Sequence, residues 1–311
     1  MSRFFVWTMF LFTAVLCLPV RAADLPAEDQ VKPTKLFDVP NYCEGVVFDQ
    51  DGNGYTSHGD TITKFTLDGK TSVFAVTGAP NGHKILADGT HLVCDAKSHA
   101  VLHLDKNGKP LPHAAKECNG KPLRGPNDLT LDTENGGFYF TDPAESSDKR
   151  PDGTVHYTDN KGITHQIGEG FAYPNGIVLV PGGKRLLMAE SKHNRVLEFP
   201  VLEPGKVGKY KVFANLPEKQ GEQIDNQPDG MCLDAAGNLY VAHYGMKQVE
   251  VLSPTGTLLR KYPGGNLTTS NVAFGGPKRD QLFVTGALGG EKSTGAVFRL
   301  DLGVKGLKIL P

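Results

Sequence analysis

The chain has 311 residues, of which 39% are hydrophobic and 22% are charged, and its formal net charge is -1. This balance is typical of a soluble globular protein and excludes disordered, fibrous and polytopic membrane classes. Because basic residues do not outnumber acidic ones, the chain lacks the basic field that phosphate backbones require, and we expect no nucleic-acid partner.

The first segment has the pattern of a secretory signal peptide. An apolar run extends from Phe4 to Leu18, and the small residues Val20 and Ala22 follow it at cleavage-site spacing. The run of about fifteen residues is shorter than the roughly twenty that a membrane-spanning helix needs. We therefore predict that residues 1–22 are removed, that 23–311 form one domain without a membrane span, and that the protein is secreted or periplasmic. A retained N-terminal anchor is the alternative.

Four cysteines remain after the predicted cleavage: Cys43, Cys94, Cys118 and Cys232. Export permits disulfides, but four cysteines in a chain of this length are too sparse to form its framework. Three pairings are possible, and the sequence does not choose between them.

A hairpin-like pattern recurs six times along the mature chain. Each copy begins with a polar residue, continues with an alternating apolar run and a glycine-containing turn, and ends with a run rich in Tyr, Phe, Val and Leu. The copies are EGVVFDQDGNGYTSH from Glu44, NGHKILADGTHLVCD from Asn81, NDLTLDTENGGFYFTD from Asn127, NGIVLVPGGKRLLMAE from Asn175, DGMCLDAAGNLYVAH from Asp229 and NVAFGGPKRDQLFVTG from Asn271.

The spacing of the copies predicts the fold. Their first residues are 37, 46, 48, 54 and 42 positions apart, and about 45 residues is the length of one four-stranded propeller blade. Period-two alternation and Asp-Gly, Gly-Gly or Asn-Gly turns indicate β-hairpins, and helical periodicity is nearly absent. We predict an all-β, six-bladed β-propeller with a chain terminus completing one blade. Two stacked β-sandwiches are the alternative, which does not explain the sixfold recurrence.

The residues that open the six hairpins all carry a side-chain oxygen. They are Glu44, Asn81, Asn127, Asn175, Asp229 and Asn271. Because the innermost strand of every blade lines the axis, equivalent residues should form a ring around one point. Asn and Asp also favour turns, so chance could supply some of them. Converging oxygens with two carboxylates suit a hard divalent cation, Ca²⁺ before Mg²⁺ or Mn²⁺, and predict a central metal site.

The second strand of each hairpin should end on the same face of the disc as the ring. The residues at these ends are His58, Asp95, Asp142, Glu190, His243 and Gly286. Five of the six are ionisable, which predicts an outer polar shell, although solvated strand ends would give the same pattern. Asp142 and His243 are the strongest candidates for a role beside the ring.

Two further residues are weaker candidates. His83 lies two positions after Asn81 and could face the channel, while a buried structural histidine is the alternative. Arg124 lies three positions before Asn127 on a loop over the same face, where a guanidinium could hold a carbonyl or hydroxyl-rich substrate. A solvent-exposed arginine would look the same. No serine-nucleophile elbow, phosphate-binding loop or zinc motif occurs.

The sequence resembles the family of senescence-marker protein, gluconolactonase and luciferin-regenerating enzyme. The resemblance spans about residues 36 to 302, and its most specific parts are CEGVVFD, RGPNDLTLD with GGFYFTDP, YPNGIVLVPGGK and QPDGMCLDAAGNLYVAHYG. It implies a six-bladed propeller with an axial divalent metal, usually Ca²⁺ or Zn²⁺, and hydrolysis of a lactone. By motif, the metal ligands fall on Glu44, Asn175 and Asp229. Asn127 resembles the residue that contacts metal, water or substrate, and Arg124 resembles the substrate-holding arginine.

The expected chemistry combines the ring with this resemblance. A divalent metal would polarise the lactone carbonyl, and the resemblance makes Asp229 the general base for water attack, with Asp142 or His243 taking up its proton. Glu44 would hold the cation, while Asn127 and Asn175 complete the coordination, and the partner would be a small lactone or ester.

Two rival functions remain open. The first is phosphotriester hydrolysis on the same metal platform. The resemblance to propellers with that activity implies a histidine after the last inner hairpin, and this chain has VTGALGG there, which makes this function less favourable. The second is a noncatalytic propeller that uses the metal for structure and its rim for binding.

Overall fold

The computed structural model describes residues 25–218, 226–290 and 292–308. The predicted signal peptide, residues 1–22, lies outside these residues. Within them, the regular structure is almost entirely β. Two single-turn 3-10 helices are present, Glu28–Gln30 and Ser191–His193.

The first half of the chain forms one N-terminal strand, three blades and a short hairpin. Its strands are β1 (Thr34–Val39); β2 (Cys43–Phe48), β3 (Gly54–His58), β4 (Thr61–Phe65) and β5 (Thr71–Val76) of blade 1; β6 (Pro80–Ile85), β7 (His91–Asp95) and β8 (Ala100–Leu104) of blade 2; the hairpin β9 (Glu117–Cys118) and β10 (Lys121–Pro122); and β11 (Leu129–Asp132), β12 (Gly137–Asp142), β13 (Gly153–Thr158) and β14 (Thr164–Phe171) of blade 3. Residues 110–115 extend the outer edge of blade 2 through two isolated bridges.

The second half forms three more blades. Its strands are β15 (Pro174–Leu179), β16 (Arg185–Glu190), β17 (Arg195–Glu203), β18 (Lys206–Val207) and β19 (Lys211–Asn215) of blade 4; β20 (Gln227–Leu233), β21 (Leu239–Tyr244), β22 (Gln248–Leu252) and β23 (Leu258–Pro263) of blade 5; and β24 (Thr268–Gly275), β25 (Gln281–Ala287) and β26 (Gly295–Asp301) of blade 6.

The N-terminal strand closes the ring. β1 pairs antiparallel with β26, with Val39 opposite Gly295, and so provides the outermost strand of blade 6. The six innermost strands are β2, β6, β11, β15, β20 and β24. Each contacts the innermost strand of the next blade, and β24 contacts β2. This circle confirms the predicted all-β, six-bladed propeller and the completion of one blade by a chain terminus.

Six apolar clusters hold the blades together, one at each interface between neighbours. Successive side chains of a strand point to opposite faces of its sheet, so each blade contributes to two clusters. On β2, Val46 belongs to the cluster between blades 6 and 1, and Val47 packs against the one between blades 1 and 2. Apolar side chains are therefore used between blades, and the inner ends of the sheets are left for polar residues.

Two further features bear on the sequence predictions. Cys43, Cys94, Cys118 and Cys232 are all free thiols, so none of the three possible pairings is formed. Among the described residues, neither helix is long and apolar enough to cross a membrane.

Candidate functional site

A two-residue β-bulge begins the innermost strand of each blade. In blade 1, Cys43 lies opposite His58 and Val46 lies opposite Thr56, so two residues of β2 face one residue of β3. The same irregularity occurs in blades 2, 4, 5 and 6, and backbone hydrogen bonds of residues 127 and 128 to Thr141 make the equivalent arrangement in blade 3. Because a bulge removes a side chain from the normal alternation, its first residue can be turned toward the axis.

The bulges correct one sequence prediction. The first bulge residues are Glu44, Asn81, Asn127, Asn175, Asp229 and Ser270. Asn271 is the second bulge residue, a position that is glycine in four blades and Asp128 in blade 3. Its Oδ1 accepts a hydrogen bond from the Val272 N–H at 2.9 Å. The prediction that Asn271 is the ring residue of blade 6 was wrong by one position. Blade 6 lacks the glycine that marks the second bulge position in four other blades.

Glycine at the second bulge position brings neighbouring blades into close contact. A Cβ on Gly45 would lie 2.2 Å from the Asn81 carbonyl oxygen, and a Cβ on Gly176 would lie 2.2 Å from the Asp229 carbonyl oxygen. No side chain fits at such separations, so glycine permits the ring residues of successive blades to approach each other.

The two ring carboxylates meet at one hydroxyl. The Tyr42 hydroxyl donates a hydrogen bond to Glu44 Oε1 at 2.8 Å and lies 3.4 Å from Asp229 Oδ2. The Asn175 side chain lies close enough to the Asp229 carboxylate to lower its pKa, against the larger effect of burial. Glu44, Asn175 and Asp229, which come from blades 1, 4 and 5, therefore form one cluster, and Asn127 occupies the equivalent position of blade 3.

The electrostatics of this cluster favour a bound cation. Burial, together with the negative charges of Glu44 and Asp128, raises the pKa of Asp229 well above its usual value. Burial and the negative charges of Glu44 and Asp229 raise the pKa of Tyr42 well above its usual value, which keeps its hydroxyl protonated. A divalent cation would relieve the repulsion between these crowded carboxylates.

The donor set is built from oxygens. Within the described ranges, no three His, Cys, Asp or Glu side chains form a metal-binding group. Any site here must therefore combine the carboxylates of Glu44 and Asp229 with neutral amide oxygens, a ligand type that Ca²⁺ accepts. The residues present fit a hard divalent cation.

Hydroxyl groups fix the backbone of the ring across blade boundaries. Ser57 Oγ donates to the Asn81 carbonyl at 2.9 Å, and Thr141 Oγ1 donates to the Asn175 carbonyl at 2.9 Å. Ser191 Oγ donates to the Pro228 carbonyl at 2.7 Å, and Ser270 Oγ donates to the Cys43 carbonyl at 2.6 Å. These bonds hold ring residues of adjacent blades at defined separations.

Comparison with known proteins identifies the family. Residues 33–288 match the family described as the SMP-30/gluconolactonase/LRE-like region. The chain belongs to this family. It is 26% identical over 247 residues to the diisopropyl-fluorophosphatase of Loligo vulgaris, covering 70% of this chain and 77% of the relative. It is 31% identical over 245 residues to the lactonase drp35 of Staphylococcus haemolyticus, covering 75% and 71%.

The fold is shared with a solved structure. The calcium-binding protein regucalcin of Agrobacterium tumefaciens superposes with a TM-score of 0.76 at 21% identity, covering 89% of this chain and 95% of that one.

In this family member, the acidic residues at the second-strand ends hold loops. Asp142 accepts hydrogen bonds from the backbone N–H groups of Arg124 at 2.9 Å and Gly125 at 2.7 Å. Asp95 and Glu190 bind the backbone of the equivalent loops in blades 2 and 4. Each carboxylate therefore positions the loop that leads into the innermost strand of its own blade. A proton-accepting role for Asp142 stays a prediction.

The two candidate histidines lie away from one another. His243 is fully buried, with Nε2 3.0 Å from Asn194 Oδ1 and Nδ1 3.3 Å from Glu250 Oε1, and it joins blade 5 to a loop of blade 4. Its part in proton transfer stays a prediction. His83 Nε2 lies 2.8 Å from His91 Nδ1, between blades 1 and 2. Of the two alternatives for His83, the structure supports the buried structural histidine, because its side of β6 packs against blade 1.

Arg124 lies on the ring face of the propeller. Its guanidinium Nη1 is 3.1 Å from Asp152 Oδ2, and its side chain is 39% exposed. The Asp142 carboxylate holds its backbone, so the guanidinium is kept above blade 3 by two acidic residues. This placement is compatible with substrate contact, which stays a prediction.

Three residues of the site were missed by sequence reasoning. Tyr42 lies two positions before Glu44 and could have been found by comparing the positions that precede each ring residue. Asp128 stands at the second bulge position of blade 3, where four other blades have glycine. Lining up the six hairpin sequences would have shown this difference. Ser191 has no such signal, because its hydrogen bonds to blade 5 exist only in the folded chain.

Proposed function

We propose that this protein is a divalent-cation-dependent lactonase that hydrolyses a sugar lactone or a related cyclic ester. The proposal rests on one observation: the Tyr42 hydroxyl contacts the carboxylates of both Glu44 and Asp229, which come from blades 1 and 5. Family membership and the lactonase relative support hydrolysis of a lactone. The signal-like segment 1–22 supports a secreted or periplasmic location.

Four residues would hold the cation in this proposal: Glu44, Asn127, Asn175 and Asp229. Their two carboxylates balance a 2+ charge, and their amides add neutral oxygen donors. This chemistry favours Ca²⁺, with Zn²⁺, Mn²⁺ and Mg²⁺ as the alternatives. When bound, the cation supplies Lewis-acid polarisation of the lactone carbonyl.

The side chains of this chain would perform the remaining steps. The Asp229 carboxylate accepts a proton from a water molecule as the water oxygen adds to the carbonyl carbon. The ring C–O bond then breaks, the leaving alkoxide takes up that proton, and the product is an open hydroxy acid. Asn127 and Arg124 orient the substrate through its carbonyl and hydroxyl oxygens.

A substrate panel tests the proposal. The purified mature protein is assayed with a gluconolactone, an aliphatic lactone and an organophosphate, each with Ca²⁺, Zn²⁺, Mn²⁺ or EDTA. We expect cation-dependent opening of at least one lactone and its loss in EDTA. Absence of lactone turnover under every condition, with retained binding of a protein or glycan, would instead establish the noncatalytic propeller.

Substitution of the base tests the assignment of Asp229. Asp229→Asn keeps an oxygen ligand but removes the proton acceptor, so we expect turnover to fall by about 10² to 10⁴. Calorimetric titration with Ca²⁺ should still show binding. Undiminished turnover would contradict a role for Asp229 as the base.

Phosphotriester hydrolysis is the second candidate, because the diisopropyl-fluorophosphatase of Loligo vulgaris is a relative. The same oxygen ligands could serve both ester classes. Gly286 and Ala287 end β25 where the sequence comparison led us to expect a histidine. The organophosphate in the substrate panel decides between the two, since preferential turnover of that compound would favour this candidate.

A further inference from the structure

Ser191 makes a three-way junction beside the proposed cation site. It follows β16 and is 1% exposed. Its Oγ donates to the Pro228 carbonyl oxygen at 2.7 Å, and the Asn175 side-chain nitrogen Nδ2 lies 3.2 Å from the same Oγ. The backbone N–H of Ser191 donates to the Tyr173 carbonyl at 3.0 Å, which fixes the position of the hydroxyl.

The directions of these bonds determine which way the Asn175 amide points. A serine hydroxyl has one hydrogen, and a backbone carbonyl can only accept, so that hydrogen goes to Pro228. The hydroxyl must then accept from Asn175. Because only the nitrogen of an amide donates, Nδ2 faces Ser191 and the amide oxygen Oδ1 is turned away from it.

We propose that Ser191 is a positioning residue that orients the Asn175 amide so that its oxygen, and not its nitrogen, is presented to the cation. This inference rests on the proposed function. The reversed amide would present N–H hydrogens, which repel a cation. Ser191 also fixes the spacing between two ligands, because Pro228 directly precedes Asp229 and the same hydroxyl thus connects blade 4 to blade 5.

A matched control exists in blade 1. Ser57 is fully buried, and its Oγ donates to the Asn81 carbonyl of the next blade at 2.9 Å. Ser57→Ala therefore removes a cross-blade hydrogen bond of the same kind, while the bond that orients Asn175 remains. We expect Ser57→Ala and Ser191→Ala to lower the melting temperature of the cation-free protein by similar amounts.

The first measurement is calorimetric titration with Ca²⁺. Loss of a partner that orients a ligand typically weakens metal affinity by about 10- to 100-fold. We expect this weakening in Ser191→Ala, recovery in Ser191→Thr, and the wild-type value in Ser57→Ala. Equal Ca²⁺ affinity in wild type and Ser191→Ala would overturn the inference and leave the proposed function intact.

The second measurement uses cation-free protein labelled with ¹⁵N-asparagine. The Asn175 side-chain NH₂ signal, assigned by its loss in Asn175→Asp, should exchange with solvent slowly in wild type and in Ser57→Ala, and faster in Ser191→Ala. Unchanged exchange in Ser191→Ala overturns the inference, whatever the affinities. If wild type binds none of the cations, the proposed function fails, and the exchange data still decide the orientation of the amide.

Discussion

At the scale of single residues, the site depends on groups that hold the predicted ligands. Glu44 and Asp229 are close because the Tyr42 hydroxyl contacts both, and Tyr42 in turn packs edge-on against Tyr244 with ring centroids 6.2 Å apart. The ligand types could be predicted from the hairpin pattern. The part that Tyr42 plays was not predicted, because it is defined by a contact with Asp229, which comes from another blade.

Tyr42→Phe tests this role. The substitution keeps the ring against Tyr244 but removes the hydrogen bond that orients the Glu44 carboxylate. We expect Ca²⁺ affinity to fall roughly 10-fold, the usual cost of losing a partner that orients a ligand. Titration calorimetry measures the effect. Tyr55→Phe is the control, since the Tyr55 hydroxyl bonds to Asp49 at 2.9 Å, away from the ring. Wild-type affinity in Tyr42→Phe would contradict the assignment.

At the scale of the strand, the β-bulge is the feature that builds the site. Alternation and turn chemistry predicted the six hairpins, because these signals are local. The bulge was not predicted, since an extra residue changes no residue type and is visible only in cross-strand pairing. Blade 6 shows the consequence. The sequence pattern selected Asn271, but Asn271 is the second residue of the bulge, and the first is Ser270.

Gly176→Ala tests the close approach at the bulge. The new Cβ would meet the Asp229 carbonyl oxygen at 2.2 Å, so blades 4 and 5 must separate. Such overpacking typically costs about 1–3 kcal/mol, and the shift should also lower turnover because it moves Asp229. Gly290→Ala is the control, because a Cβ there meets none of the described atoms within 4 Å, its chain neighbours aside. Thermal unfolding compares the two variants; equal melting temperatures would show that the blades accommodate the methyl group.

At the scale of the whole molecule, buried histidines make the fold sensitive to acid. Burial lowers the pKa of His91 to about 4, and it lowers the pKa of its neighbour His83 well below the ordinary value. His156, a buried residue of β13 in blade 3, also has a pKa lowered to about 4 by burial. These imidazoles are neutral in the folded chain and bind protons when it unfolds.

The sign of the pH effect follows from this difference. The neutral buried imidazoles contribute their full stabilisation of the folded chain above the unfolded pKa of about 6.5. This contribution to the free energy of unfolding is lost as the pH falls toward 4, by up to about 1.4 kcal/mol per pH unit for each histidine. Urea unfolding between pH 7.5 and 4.5 measures the slope. We expect His83→Leu combined with His91→Phe to flatten it, and His113→Gln, at an exposed histidine, to leave it unchanged. A wild-type slope in the double variant would argue against the buried pair.

The sequence by itself determined the repeat, the all-β class, the six blades and five of the six ring residues, because hairpin alternation, turn residues and ring oxygens recur within each copy of about 45 residues. Tertiary structure decided how these copies meet. Tyr42 and Asp229 are 187 positions apart, Ser191 reaches the carbonyl before Asp229, and His83 is turned into an interface between blades. Such contacts cross blade boundaries, and their direction depends on bulge register and hydrogen-bond polarity, which exist only once the ring has closed.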